Sequence, residues 1–386
     1  LLHVISGLVP WLQPAEVRGR IALGGEDLSE LDPGQRSHLL GTCLDRPEAQ
    51  LFLATVEHEL AAARRLYGDS EALRRCISAL GVEPLRQRRI VELSSGQRQR
   101  VALAVSIAAA PRPVLLDEPT AHLDEAGVEA LDGLLSGLVA EGATALVAEQ
   151  AGWRLARSLA SWAALEEGTL TAAAAMQPAV LPKPAPHGDD VVLEAQGLSV
   201  RRNGSEILTA VDLAIRAGEI VLVTGPNGAG KSSLARALAG GRGAARGKLE
   251  TSGTVVLMLP TSELQLFART VANEVAGRHL VREEGAKVLR RHRLEHLAAR
   301  APWTLSRGER QRLVHASLDL LRPSVMVIDE PAQGLDPDDV QAMVHLIHRR
   351  AGKGRAYLIV SHRPELAAAA HRTLHVADGT LREAAP

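Results

Sequence analysis

Residues 225–233 read Gly225-Pro226-Asn227-Gly228-Ala229-Gly230-Lys231-Ser232-Ser233. The spacing is G-x-x-x-x-G-K-[ST], in which glycines let backbone N–H groups wrap phosphate oxygens. Upstream, Gly218 to Thr224 is rich in β-branched residues and predicts a strand. Downstream, Leu234 to Ala239 predicts a helix, whose N-terminus adds positive potential to the loop. Lys231 is placed to reach the β and γ phosphates, and the Ser232 hydroxyl to ligate Mg²⁺. A strand, a phosphate loop and a helix in that order predict an α/β fold around a nucleoside triphosphate.

Working outward, Val325-Met326-Val327-Ile328-Asp329-Glu330 is an apolar strand ending in two acids. In a doubly wound sheet such a strand delivers its carboxylates beside the phosphate loop. Asp329 is expected to hold the magnesium, and Glu330 to orient or deprotonate the attacking water. Tyr357-Leu358-Ile359-Val360-Ser361-His362 is a further strand with a histidine at its end. The Ser306-Arg307-Gly308-Glu309 segment opens a helix, with serine as its cap.

Much of this occurs twice. Leu93-Ser94-Ser95-Gly96-Gln97-Arg98-Gln99-Arg100 returns 212 positions later as Leu305-Ser306-Arg307-Gly308-Glu309-Arg310-Gln311-Arg312. Leu116-Asp117-Glu118-Pro119 returns as Ile328-Asp329-Glu330-Pro331, and Leu123-Asp124 as Leu335-Asp336, at the same offset. Gln50-Leu51-Phe52 returns as Gln265-Leu266-Phe267, 215 positions later. Ordered matches of this kind identify a tandem duplication. Residues 171–190 are Ala-rich and carry Pro178, Pro182, Pro184 and Pro186, which predicts a semi-extended linker between a first domain, 1–170, and a second, 191–386.

The combined motifs resemble those of the ATP-binding cassette (ABC) ATPases: GPNGAGKSS, LSSGQ and LSRGE, VLLDEP and VMVIDEP, the AHLD and QGLD loops, and VSHR. The resemblance implies two tandem P-loop NTPase domains, each with a RecA-like core sheet, an antiparallel β portion and a helical subdomain. It implies ATP and Mg²⁺ as cofactors, with two cassettes meeting head to tail around each nucleotide. One site would then join Gly225 to Ser233, Asp329, Glu330 and His362 to Ser94, Ser95, Gly96, Gln97 and Asp124. The other would join Asp117, Glu118 and Gln150 to Ser306, Gly308, Glu309 and Asp336. Two departures weaken this second site. Gln150 stands where the family has its γ-phosphate histidine, and Glu309 where the signature has Gln. The counterpart of Lys231 falls before residue 1, which is read as an N-terminally truncated sequence.

Lys and Arg number 44 against 45 Asp and Glu, and only 2% of residues are aromatic, so no nucleic-acid partner is expected. No apolar run approaches the ~18 residues of a membrane span. The stretches from Pro47 to Leu60 and from Gln265 to Val275 resemble the P-x-x-Q-L-F…T-V-x-x-E-V segment of energy-coupling-factor importers. That resemblance implies import of a vitamin or metal ion. It also implies a membrane-embedded coupling subunit, a small substrate-binding membrane subunit, and a place on the cytoplasmic face of the cell membrane. The alternative is a tandem cassette acting on the ribosome. The two phenylalanines, Phe52 and Phe267, are repeat equivalents, expected either in the core or on the groove where a coupling helix docks.

Overall fold

A computed structural model describes residues 1–386 except 13, 110–111, 167, 203–204, 241–243, 278–281 and 385–386. The chain forms two compact units, Leu1–Gln177 and Pro178–Pro386. Of the expected linker, Thr171–Ala173 belongs to a hairpin strand of the first unit, while Leu181 is buried in the core of the second.

The first unit is built on three parallel strands, β1 (Gly41–Cys43), β2 (Val114–Asp117) and β3 (Ala145–Ala148), in the order β1-β2-β3. Its helices include α1 (Val56–Tyr67), α2 (Glu71–Ala79), α3 (Ser95–Ile107) and α4 (Glu125–Ala140). Leucines and alanines of all four helices make its core, together with Cys43 and Leu116 of the strands.

The second unit adds an antiparallel sheet of β4 (Val191–Arg202), β5 (Ser205–Arg216) and β7 (Ala244–Thr251), ordered β7-β4-β5. Its main sheet comprises β6 (Ile220–Thr224), β8 (Val255–Met258), β9 (Val325–Asp329), β10 (Ala356–Val360), β11 (Arg372–Ala377) and β12 (Thr380–Glu383). The order is β8-β9-β10-β6-β11-β12, parallel except for the last pair. Strands β9 and β10 are buried throughout, as expected of parallel strands covered on both faces. Alternation sorts their side chains: Val325, Val327, Leu358 and Val360 face one core, and Met326, Ile328, Tyr357 and Ile359 the other. Helix α5 (Lys231–Leu238) covers the first face. Helices α6 (Val271–Ala276), α7 (Arg282–Arg291), α8 (Arg307–Asp319) and α9 (Pro337–Ala351) complete the unit. Each unit therefore carries a RecA-like parallel sheet with helices. The phosphate loop leaves the C-terminal end of β6, between β10 and β11.

Candidate nucleotide site

The loop conformation follows from its glycines. Gly225 has φ 138°, and a Cβ there would stand 2.3 Å from the Val376 carbonyl oxygen. Gly230, the N-cap of α5, has φ 106° and lies against Leu208 and Ile207 of the antiparallel sheet. A side chain at either position would push the loop off its supports. Lys231 is buried and turns back into the loop, its Nζ donating to the Gly225 carbonyl at 2.6 Å and the Pro226 carbonyl at 3.0 Å. Ser232 and Ser233 begin α5, so their backbone N–H groups lie in its first turn, where helix donors face outward. Asn227, Gly228 and Ala229 form the turn between.

Asp329 ends β9 and is 2% exposed. Its Oδ1 has no hydrogen-bond partner among the described residues. Burial, reinforced by the charge of Glu330, pushes this carboxyl up to about 6, against the opposing pull of Ser232, Arg236 and Lys231. A buried, under-satisfied carboxylate oxygen beside a serine hydroxyl fits a hard divalent cation such as Mg²⁺.

Glu330 follows at φ 52°, with its N–H donating to the Val360 carbonyl at 2.8 Å. His362 Nδ1 lies 3.0 Å from Glu330 Oε2, and the Ser361 hydroxyl donates to the same oxygen at 3.1 Å. Burial works to raise the Glu330 carboxyl, but His362, Lys231 and Ser361 hold it below its ordinary value. It is therefore an ionised base held in place by two partners. Ser361 was not singled out by the sequence, because nothing in the strand signal marks the residue before the histidine.

The first unit repeats the frame with different chemistry. Glu118 has φ 48°, and its N–H donates to the Ala148 carbonyl at 2.8 Å, matching Glu330. Asp117 ends β2, with burial raising its carboxyl and Asp45 adding to the effect. The position of Ser361 is taken by Glu149. Its carboxylate accepts from the Thr120 N–H and hydroxyl at 3.1 and 2.7 Å, and from the Ala151 N–H at 3.1 Å. Gln150 takes the place of His362, and its buried Oε1 has no partner among the described residues.

The signature serines are helix caps in both units. Ser94 accepts from the Gln97 N–H at 3.2 Å, and Gln97 accepts from the Ser94 N–H at 3.0 Å. Ser306 and Glu309 make the same capping box at 3.2 and 2.7 Å. The exchange of Gln for Glu therefore preserves the cap and adds a charge. Ser95 lies in the first turn of α3, and Gly96 is buried. Gly308 is also buried, and a Cβ there would stand 2.5 Å from Asp339 Oδ2. Asp124 and Asp336 cap α4 and α9. Arg100 pairs with Asp124 at 2.8 Å, whereas its counterpart Arg312 pairs with Asp339, which stands where the first unit has Gly127.

The Q-L-F segments have a common construction. Gln265 braces the end of β8, accepting from the Leu259 N–H and donating to the Leu257 carbonyl; Gln50 does the same to Leu44 and Thr42. Buried Glu274 and Glu59 accept backbone N–H groups of the loop, and Thr270 and Thr55 cap the next helix. Phe267 and Phe52, 78% and 81% exposed, are held outward between these anchors, so neither is a core ring.

A family model described as ABC transporter matches residues 1–121 and 208–333, well over half of the chain. The chain belongs to the ABC transporter family. Its ABC cassettes make it an ATP hydrolase, and the family uses ATP with Mg²⁺. A putative ABC transporter ATP-binding protein of Streptomyces avermitilis is 30% identical, with 99% of this chain and 85% of that protein aligned. One of Treponema denticola is 27% identical, over 99% and 87%. Among solved structures, a model of ribosome-bound archaeal Pelota and ABCE1 matches with a TM-score of 0.70 at 20% identity, covering 94% of this chain and 67% of that one. A complex of archaeal ribosomal stalk protein aP1 with the ribosome recycling factor aABCE1 matches at 0.68 and 20%, covering 90% and 75%.

These matches correct the expected setting of this ABC protein. Two solved structures that align along nine-tenths or more of the chain come from ribosomal assemblies. The energy-coupling-factor import of a vitamin or metal ion therefore does not stand. Neither do the two membrane subunits, the place on the cytoplasmic face of the membrane, or the exclusion of nucleic acid. The Q-L-F resemblance misled because its Gln, Thr and Glu have local structural work in both units. Among the described residues no helix is long and apolar enough to cross a membrane.

Proposed function

We propose that the second unit binds ATP on the loop Gly225–Ser233 and hydrolyses it with Glu330 as the base. The contact of Glu330 with His362 and Ser361 carries this reading: it fixes an ionised carboxylate beside the phosphate loop. The loop N–H groups and Lys231 would bind the phosphates, with Lys231 exchanging its two carbonyl partners for phosphate oxygens. Asp329 and Ser232 would hold the magnesium, which neutralises phosphate charge when bound. Glu330 orients the attacking water and takes its proton, while His362 meets the γ-phosphate. In the first unit Asp117, Glu118 and Gln150 would bind with less hydrolytic power, since glutamine cannot carry imidazolium charge.

The work done is on the ribosome, in this reading. It is supported by the likeness, along nine-tenths of the chain, to structures from ribosomal assemblies and by local charge. Residues 282–322 carry ten Arg and Lys against five Asp and Glu, an excess that suits a phosphate backbone although the whole chain is neutral. The test is sedimentation of the Glu330→Gln protein with ribosomes in the presence of ATP. Co-sedimentation that weakens steeply with salt is expected. Failure to sediment with ribosomes, together with flotation on membrane vesicles, would overturn the setting while leaving the ATPase assignment to its own assay.

A further inference from the structure

Behind the signature helix of the second unit lies a cavity of about 280 Å³, bounded by α8, α9 and the turn after α7. Its floor is apolar, with Met258, Ile328, Met343 and Leu346. Two buried histidines, His292 and His315, also line it, and neither nitrogen of either ring has a hydrogen-bond partner among the described residues. His292 Nε2 stands 3.6 Å from Asp319, beyond hydrogen-bond range. Burial holds His315 neutral, down at about 3, so its ring offers one donor and one acceptor. A buried imidazole left without either bond is costly unless another molecule supplies it.

The rim is cationic. Arg291, Arg293, Arg312 and Arg349 line the cavity against one acid, Asp339. Arg312 is occupied by Asp339 and Arg291 by Asp319, while Arg293 and Arg349 are exposed and make no ion pair among the described residues.

The first unit shows that the fold does not require this. The counterparts of His292, His315, Asp319 and Arg350, at the common offset of 212, are Leu80, Leu103, Ile107 and Leu138, all buried in one apolar core. The counterparts of Arg293 and Arg349 are Gly81 and Gly137. The buried histidines and the cationic rim thus occur together in one copy and are both missing from the other.

We propose that this cavity is a binding site for a small organic anion, with its apolar body on Met343 and Leu346, a hydroxyl or carbonyl on His315, and its carboxylate between Arg293 and Arg349. A suitable probe is 3-hydroxy-2-naphthoate, titrated into the full chain by calorimetry, with the uncharged 2-naphthol as control. The carboxylate is expected to bind at least tenfold more tightly than the control. Arg293→Glu with Arg349→Glu, both exposed changes that spare the fold, should weaken it by tenfold or more. His315→Leu, the residue of the first unit, should weaken both compounds. Absence of binding at millimolar probe, or equal binding of carboxylate and naphthol with no response to the double reversal, would overturn the site. A melting temperature within a few degrees of the parent checks that each variant is folded.

Discussion

Leu80, Leu103, Ile107 and Leu138 in the first unit, and His292, His315, Asp319 and Arg350 in the second, occupy equivalent places behind equivalent helices. The first set is held by contact and burial alone. The second is held by Asp319, whose fully buried carboxylate meets Arg291 at 2.9 Å and also pairs with Arg350 and Arg355. One backbone thus accepts two physical solutions. They differ in how they fail: an apolar core loses stability in proportion to the volume removed, whereas a buried ionic cluster fails when one partner is left uncompensated. The contrast continues at the sheet. Strand β10 is buried along its length and paired on both sides, while β3 ends its sheet and exposes 41% of Leu146.

The sharpest way to break the comparison is catalytic. Glu330→Gln should reduce ATP turnover by about 10²-fold or more, the usual scale for removing a general base. Glu118→Gln, beside Gln150 rather than a histidine, should change it only a few-fold. Equal losses in a phosphate-release assay would remove the asymmetry.

Next comes the ionic cluster. Asp319→Ile installs the first unit's residue but strands three arginines, and should cost about 3–5 kcal/mol in urea unfolding of the second unit. Adding His292→Leu, His315→Leu, Arg350→Leu and Arg355→Ala should recover most of that loss. A single change costing under about 1 kcal/mol would mean that Asp319 is not the keystone.

Acid should separate the units more gently. His315 is neutral in the fold down to about 3, and burial lowers His292 as well. Unfolded histidine titrates near 6.5, so between those values the unfolded chain takes up more protons. The stability these histidines contribute to the second unit is therefore complete above about 6.5 and falls as the pH drops, by at most about 1.4 kcal/mol per pH unit per group, while the raised carboxyl of Asp329 opposes part of that fall below about 6. Asp319, held below its ordinary value against the effect of burial by its pairs with Arg350 and Arg355, contributes in the same direction below about 4. Melting curves at pH 7 and pH 5 should move for the second unit and flatten in His315→Leu. Equal shifts in both units would contradict the assignment.

The smallest effect belongs to the feature the units share most closely. Phe52→Ala and Phe267→Ala should each alter stability by less than about 0.5 kcal/mol, because the rings are exposed. A loss several times larger in chemical denaturation would place them in a core after all.

The parallel sheet and its duplication were legible because glycine spacing, apolar strands and terminal acids are local patterns. Asp329, Glu330 and His362 could be placed from strand ends alone, since a parallel sheet brings those ends to one edge. Ser361 and the Thr120–Glu149 pair could not, because their partners lie 29 to 31 residues away and carry no spacing rule. The cavity was equally hidden. His292, His315 and Asp319 look like ordinary positions on polar helices until α7, α8 and α9 are packed together. The partner is hidden for another reason: the Q-L-F pattern resembles a recognition code, yet most of its residues make hydrogen bonds that any such loop needs.

Glu118 and Glu330 both sit at positive φ, 48° and 52°, where a side chain costs about 1–3 kcal/mol and glycine has no steric cost. A laboratory selection for heat resistance would therefore favour Glu330→Gly, and the clones with the highest melting temperature would include proteins that no longer turn over ATP. Thermostability screens on this chain need an activity gate, or they will enrich inert cassettes.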